Sequence, residues 1–298
     1  LRWSDLDCDV YRFNYVYRID SKSLLSLIGS YKGWEANVAL LYTHIQDHTV
    51  AQADAMQKLT PMFLLSYKKD EWIFRAFHKR IFRAPTLNDL YYTLVGNTKL
   101  NPEYTSQWDA GIDYKGKRFH FAVDGYYNHI DDKIVAIPMK CQFRWSMVNF
   151  GKVKSYGASF SGGYNQDWGK FSLAANANYT YQIDKDYTMP SDPEYKNYIP
   201  YSPMHSGSVI LDLGYDSYSL CTSFLYTGER FALVSNNADD LLGDWYTIDL
   251  KLNKRFKIGK HVLQTTLECN NLADSRHEVV KRYPMPGRNW KCTVKFEL

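Results

Sequence analysis

Apolar and polar residues alternate with a period of two along most of the chain. In the final segment Trp290, Cys292, Val294, Phe296 and Leu298 alternate with Lys291, Thr293, Lys295 and Glu297. A strand lying between two different environments needs this arrangement, because its successive side chains point to opposite faces. Phe171, Leu173, Ala175, Ala177, Tyr179 and Tyr181 are set in the same way against Ser172, Ala174, Asn176, Asn178, Thr180 and Gln182. Tyr246, Ile248, Leu250 and Leu252 face away from Thr247, Asp249, Lys251 and Asn253, as Phe119, Phe121, Val123, Gly125 and Tyr127 do from His120, Asp124 and Asn128. The pattern predicts an all-β chain of about 14 antiparallel strands, many with the roughly ten residues of a tilted membrane crossing. Before residue 60 the alternation is ragged and does not delimit strands.

The connections alternate as well. Short turns are expected at 115–117, 165–169, 215–217 and 258–260, and long polar loops near 84–103, 137–147, 185–203, 233–244 and 273–288. Tight turns at one end and long loops at the other are the layout of an outer-membrane barrel, with lipid outside and a polar lumen within. Phe, Leu, Val and Tyr then belong on the lipid face. Asp, Asn, Lys and Thr belong inside, since a Lys or Arg facing lipid at mid-membrane costs about 2–4 kcal/mol.

Composition sharpens this picture. The chain carries 25 Tyr, 15 Phe and 8 Trp, enough for aromatic girdles at both membrane interfaces. Lys+Arg is 36 against Asp+Glu 32, a balance that excludes an electrostatic nucleic-acid binder. No apolar run is long enough for a transmembrane helix, which leaves a strand-built crossing open. The cysteines Cys8, Cys141, Cys221, Cys269 and Cys292 are scattered and odd in number, so they read as small buried or lipid-facing residues. Leu1-Arg2-Trp3-Ser4-Asp5 has no features of a signal peptide, so a targeting segment is expected upstream or already removed. No catalytic constellation stands out. His44 and His48 fall on one strand face about 13 Å apart, too far to share a metal. His205, Ser206 and Ser208 cluster, but residue types without site geometry do not make a hydrolytic site, and Asp131-Asp132 and Asp239-Asp240 lack the ligand count of a calcium loop.

Several segments then carry a resemblance. They are Phe82-Arg83-Ala84-Pro85-Thr86-Leu87-Asn88-Asp89-Leu90-Tyr91, Gly96-Asn97, Leu100-Asn101-Pro102-Glu103 and Val148-Asn149-Phe150-Gly151-Lys152-Val153. Ile199-Pro200-Tyr201-Ser202-Pro203-Met204-His205, Asn270-Asn271-Leu272-Ala273-Asp274 and Pro284-Met285-Pro286-Gly287-Arg288 complete the set. In this order they resemble the C-terminal barrel of a TonB-dependent outer-membrane receptor. Arg83, Pro85, Pro102, Glu103, Asn271, Asp274, Gly287 and Arg288 are its structural motif positions, with Arg83 expected on a lumenal carboxylate. Three departures stand out: Gly157-Ala158-Ser159 lacks the family's acidic residue, His277-Glu278 replaces Tyr-Glu, and the chain ends in Leu298 rather than an aromatic residue.

The resemblance implies a partial barrel domain over 1–298, with the motifs in 82–298, belonging to a plugged barrel of about 22 strands. The plug and the remaining strands then lie in an upstream segment or a partner chain. It further implies a non-enzymatic receptor in a Gram-negative outer membrane, importing a ferric siderophore, cobalamin or haem and energised through TonB by residues outside this chain. No intrinsic cofactor is implied. Loop aromatics and arginines are the candidate ligand contacts, because they offer stacking area, hydrogen bonds and charge at low entropy cost. They are Tyr91, Tyr92, Trp145, Tyr195, Tyr198, Arg230, Phe231, Trp245, Arg282 and Tyr283. Near strand ends the same residues also suit an interfacial girdle. Two other readings stay open: a passive channel without TonB dependence, and a soluble β-rich carbohydrate-binding protein.

Overall fold

The computed structural model describes residues 1–6, 16–49, 55–93, 95–138 and 145–297. Cys8, Cys141 and Leu298 lie outside them. The chain runs through β1 (Arg2–Leu6), β2 (Val16–Tyr31), β3 (Trp34–His48), β4 (Met56–Lys69), β5 (Trp72–Arg83) and helix α1 (Leu87–Tyr91). Strands β6 (Glu103–Lys115), β7 (Phe119–Pro138), β8 (Trp145–Trp168), β9 (Phe171–Asp186), β10 (His205–Tyr215) and β11 (Tyr218–Thr227) follow. The last part holds β12 (Arg230–Phe231), β13 (Leu241–Leu242), β14 (Trp245–Ile258), β15 (His261–Asn270), β16 (Glu278–Val280), β17 (Tyr283–Pro284) and β18 (Asn289–Glu297).

A single antiparallel meander of 14 strands results, bounded by β1 and β18, while β12–β13 and β16–β17 are small hairpins within loops. Each register row keeps its side chains on one face. One such row joins Val38, Phe63, His78, Trp108, Tyr127 and Tyr156. Another joins Phe160, Tyr179, Gly207, Tyr226 and Tyr246. The predicted faces are therefore formed: Ile248, Leu250 and Tyr179 share the apolar face, and Asp249, Lys251 and Asn178 the other. On the polar face Lys251, Glu268 and Lys291 are in register across three strands, with Glu268 3.2 Å from Lys251 and 3.5 Å from Lys291.

The inner face has apolar exceptions. Leu24 and Ile28 occupy it at 67% and 65% exposure, opposite Leu25 and Leu27, so β2 is apolar on both sides. That is why alternation fails before residue 60. Cys269 and Cys292 sit on the apolar face, whereas Cys221 lies on the other, opposite Lys251 and Asp212.

All described short turns fall at one end. The expected turn at 165–169 shrinks to two residues, because Asn165, Gln166 and Asp167 continue the ladder to Ala174, Leu173 and Ser172. At Lys32-Gly33 both residues have positive φ, 46° and 86°, which matches the twist of a two-residue hairpin. The expected loop at 137–147 is shorter too, since β7 runs to Pro138 and β8 begins at Trp145.

The sheet is curled. Val16 of β2, Ile134 of β7 and Met147 of β8 share one buried cluster with Leu87, Leu90 and Tyr91 of α1, so strands far apart in the sheet meet around the helix. A second cluster joins Ile130, Phe150 and Val153 to Ile199 of the following loop.

Candidate functional site

The long loops gather at one mouth of the curled sheet in two anchored groups. The first is built on α1, a helix not foreseen in the loop 84–103. Its signal is the Thr86-x-x-Asp89 capping box: Asp89 N donates to Thr86 Oγ1 at 3.1 Å, and Thr86 N donates to Asp89 Oδ2 at 2.8 Å. Arg18 holds the helix entry. Its Nε and Nη2 donate to Asp47 at 2.5 and 2.7 Å, and Nη1 donates to the Pro85 carbonyl at 2.7 Å. Tyr91 donates its hydroxyl to the same Asp47 at 3.3 Å. Burial first, and then the Asp47 carboxylate, push the Tyr91 phenol up to about 12. A raised phenol pKa means that this contribution to stability is intact at neutral pH and is lost as pH rises from the ordinary phenol value of 10.0 through about 12.

Arg83 does meet an inner-face carboxylate, Glu103 at 3.2 Å, and lies 3.9 Å from Asp89. Glu103 in turn accepts the Ile134 N–H at 3.1 Å. Asn97 donates to the Met147 carbonyl at 3.0 Å, and Asn149 donates to the Asn101 carbonyl at 3.1 Å. The Pro85 to Glu103 segment is thereby fastened to β7 and β8.

The second group packs loops 187–204, 228–244 and 271–288 together. Arg230, 5% exposed, points its guanidinium into backbone carbonyls: Glu278 at 2.6 Å, Val279 at 3.2 Å, Gly243 at 3.4 Å and Gly228 at 3.5 Å. Burial lowers its pKa and raises that of Tyr201. Asn236, which the sequence reading passed over, accepts the Tyr198 N–H at 2.6 Å and donates to the Tyr198 and Leu233 carbonyls at 3.1 and 3.0 Å. Lys281 donates to Asp240 at 2.9 Å and to the Asp239 carbonyl at 2.5 Å.

The motif residues of the last loop interlock. Asn271 N donates to Asp249 at 2.7 Å, its side chain brackets Ser275, and Asp274 accepts the Arg288 N–H at 2.8 Å. A Cβ at Gly287 would approach that Asp274 oxygen to 2.8 Å, which explains glycine there.

The candidate ligand contacts divide accordingly. Tyr198 and Phe231 stack with ring centroids 6.0 Å apart, and Trp145 meets Tyr201 at 5.8 Å. Trp245 lies on His277 at 4.3 Å, and Tyr195 meets Tyr187 edge-on at 5.5 Å. Tyr91 is buried in the α1 cluster and Tyr92 ends the helix. Arg230 is enclosed by carbonyls, while Arg282 and Tyr283 stand exposed at the rim. Replacing Arg230 by glutamine leaves several of those carbonyls without a donor. We expect the three loops to separate, read as protease cleavage within 228–244 while the sheet stays intact. Unchanged cleavage would contradict this role.

Below the mouth, on the inner face, Arg75 pairs with both Asp113 and Asp124. Gly111 lies between them in register, and a Cβ there would collide with the Asp124 carboxylate. Asp124 is also the cross-strand partner of Ser159. Among the described residues, no group of three or more His, Cys, Asp or Glu is placed to hold a metal.

Known proteins of this architecture were found by comparison. The chain is 23% identical over 220 residues to the vitamin B12 transporter BtuB of Vibrio vulnificus, covering 72% of this chain and 33% of that protein. In structure it is similar to the FrpB iron transporter of Neisseria meningitidis, with a TM-score of 0.69, 14% identity, and coverage of 95% of this chain and 46% of the other. The ferric preacinetobactin receptor BauA of Acinetobacter baumannii gives a TM-score of 0.71 at 11% identity, covering 95% and 44%. The chain thus spans well under two thirds of these proteins, and at such identities the structural likeness establishes the fold. A one-sheet wall with an apolar outside, a charged inside and loops gathered at one mouth matches the family model "TonB dependent receptor-like, beta-barrel" over residues 9–272, and the chain belongs to that family.

Proposed function

We propose that this chain forms part of the barrel wall of an outer-membrane receptor that imports a large scarce nutrient, such as a ferric siderophore, cobalamin or haem. The family match over residues 9–272 carries this reading. The charged inner face supports it, because a bulky polar cargo needs a hydrophilic path through the bilayer. The β1 and β18 edges bear backbone groups that hydrocarbon does not satisfy, so further strands pair there and close the barrel. Energy reaches the receptor through TonB. Cargo meets the loop mouth first, where Trp145, Tyr195, Tyr198, Phe231, Arg282 and Tyr283 offer flat area and charge. No step requires covalent chemistry from these residues.

The test compares a deletion strain with its parent for uptake of labelled ferric siderophores, cobalamin and haem, each with and without a protonophore. We expect uptake of one cargo to disappear on deletion, and in the parent on addition of the protonophore. Protonophore-insensitive passage, together with steady ion conductance of the reconstituted protein, would establish a passive channel instead.

A further inference from the structure

A polar row crosses the inner face of β7, β8 and β9 just below the second loop group. Asn128 pairs with Ser155, and Ser155 with Asp184. Ser155 and Asp184 are each 8% exposed. Two buried oxygens of this row, Asn128 Oδ1 and Asp184 Oδ1, have no hydrogen-bond partner among the described residues. Facing side chains on neighbouring strands have Cβ atoms about 5 Å apart, so oxygens set in such a row can share one small guest. Tyr126 brings a further oxygen. It pairs with Gly157, two residues along from Ser155, and a Cβ at Gly157 would lie 2.9 Å from its hydroxyl. Glycine at that position leaves the phenol room to lie across β8, within electrostatic reach of Asp184.

The other Asp184 oxygen is committed. Oδ2 accepts the Ser202 hydroxyl at 2.5 Å, Gln182 Nε2 donates to Ser202 Oγ at 3.0 Å, and the Ile199 N–H donates to the Asp184 carbonyl at 3.0 Å. Ile199, 3% exposed, packs on Ile130 and Val153, so the loop 187–204 folds down over the row. The carboxylate is thus enclosed by wall and loop, and among the described residues it meets no cation. The nearest lysines are turned away. Lys154 and Lys185 follow the alternation to the opposite face, where their Nζ atoms lie 4.4 and 4.5 Å from the ring centroids of Tyr187 and Tyr198. The next inner-face side chain on β9 is another acid, Asp186, which binds Thr188. An enclosed carboxylate without a counter-charge is strongly unfavourable, so this row calls for a positive guest.

We propose that Asn128, Ser155 and Asp184, with Tyr126, bind a monovalent alkali cation in the inner wall beneath the loop 187–204. The donors are all oxygens, which suits a hard cation and not a soft transition metal. Their charge selects its valence. One carboxylate and three neutral oxygens balance a single positive charge, whereas a divalent ion would leave a net charge enclosed. The ion joins β7, β8 and β9 through one Asp184 oxygen while the other oxygen holds Ser202, so the loop is fastened to the wall only while Asp184 is neutralised. The site rests on the wall and this loop, not on which cargo is imported or on how transport is energised.

The test uses full-length receptor in phosphatidylcholine nanodiscs, held at one ionic strength in choline chloride, sodium chloride, potassium chloride, or choline chloride with added calcium chloride. Trypsin cleavage after Lys196 reports release of the loop, and broadening of the sodium-23 resonance reports binding. Sodium or potassium at about ten times its dissociation constant should slow cleavage roughly elevenfold relative to choline, because the opened population falls by that factor. Asp184→Asn keeps an oxygen for Ser202 but loses the charge, so its cleavage should be the same in every salt and its sodium signal sharp. Asp167→Asn, at the turn end, should respond as the parent does. Equal cleavage in choline and in the alkali salts, which is the result if the row holds only ordered water, overturns the proposal. So does protection by calcium alone, or an Asp184→Asn variant that still responds to sodium. If that variant does not fold, the comparison of salts on the unaltered receptor still decides.

Discussion

Replacing Arg18 with alanine is expected to cost about 3–5 kcal/mol, the largest loss from any single substitution considered, because it strands the Asp47 carboxylate without its partner. Asp47 is 1% exposed, and both its oxygens accept from Arg18. Removing the guanidinium also takes the donor from the Pro85 carbonyl at the start of α1. Tyr91 alone then faces the charge, at 3.3 Å, and a single neutral hydroxyl replaces the Coulombic partner poorly. Urea titration of the full-length receptor in vesicles, followed by tryptophan fluorescence, measures the loss. The double variant Arg18→Met/Asp47→Leu should recover most of it, because both charges leave together and apolar volume fills the site. If Arg18→Ala and the parent unfold at the same urea concentration, the clamp is not a source of stability.

The second large effect concerns the two faces of the wall. Val209→Arg, near the middle of β10, places a guanidinium between Ala177 and Phe224 on the apolar face. It should cost about 2–4 kcal/mol if that level lies near the bilayer midplane. Ser223→Arg on the adjacent strand points inward beside Asp249 and should cost little. The same unfolding assay distinguishes the pair. Equal losses, or a larger one for Ser223→Arg, would reverse the assignment of oil and water to the two faces and remove the basis for the transport reading.

These two variants differ in how far they were legible beforehand. The faces around Val209 follow from alternation of neighbouring residues, which needs no knowledge of the partner strand. The clamp does not. Arg18 and Asp47 are 29 residues apart, and Arg18 and Pro85 are 67 apart, in a stretch where alternation is obscured by Leu24-Leu25 and Leu27-Ile28. The capping box at Thr86 and Asp89 was present in the sequence as a helix signal, but α1 has only five residues, and a helix so short exists because its apolar side packs on β2, β7 and β8.

Arg230 is the opposite case. Its residue type and loop position suit a ligand contact, yet its guanidinium reaches the carbonyls of residues 48 and 49 positions away. An arginine that supports a loop and one that greets a ligand have the same local sequence environment. Only the folding of loop 271–288 onto loop 228–244 separates the two roles.

By itself, then, the sequence determined that this chain is a wall of antiparallel strands with an apolar and a charged side, that its turns and loops occupy opposite ends, and which family its motifs belong to. Those properties are local: a two-residue period and short turn or loop signals are complete within a few neighbouring positions. The tertiary structure alone decided that Arg75 bridges Asp113 and Asp124 across three strands, that Asp47 anchors α1 and that Arg230 closes the loop cap. Each of these depends on register between strands and on the curl of the sheet, and both are set by the simultaneous pairing of the whole meander rather than by any segment of it.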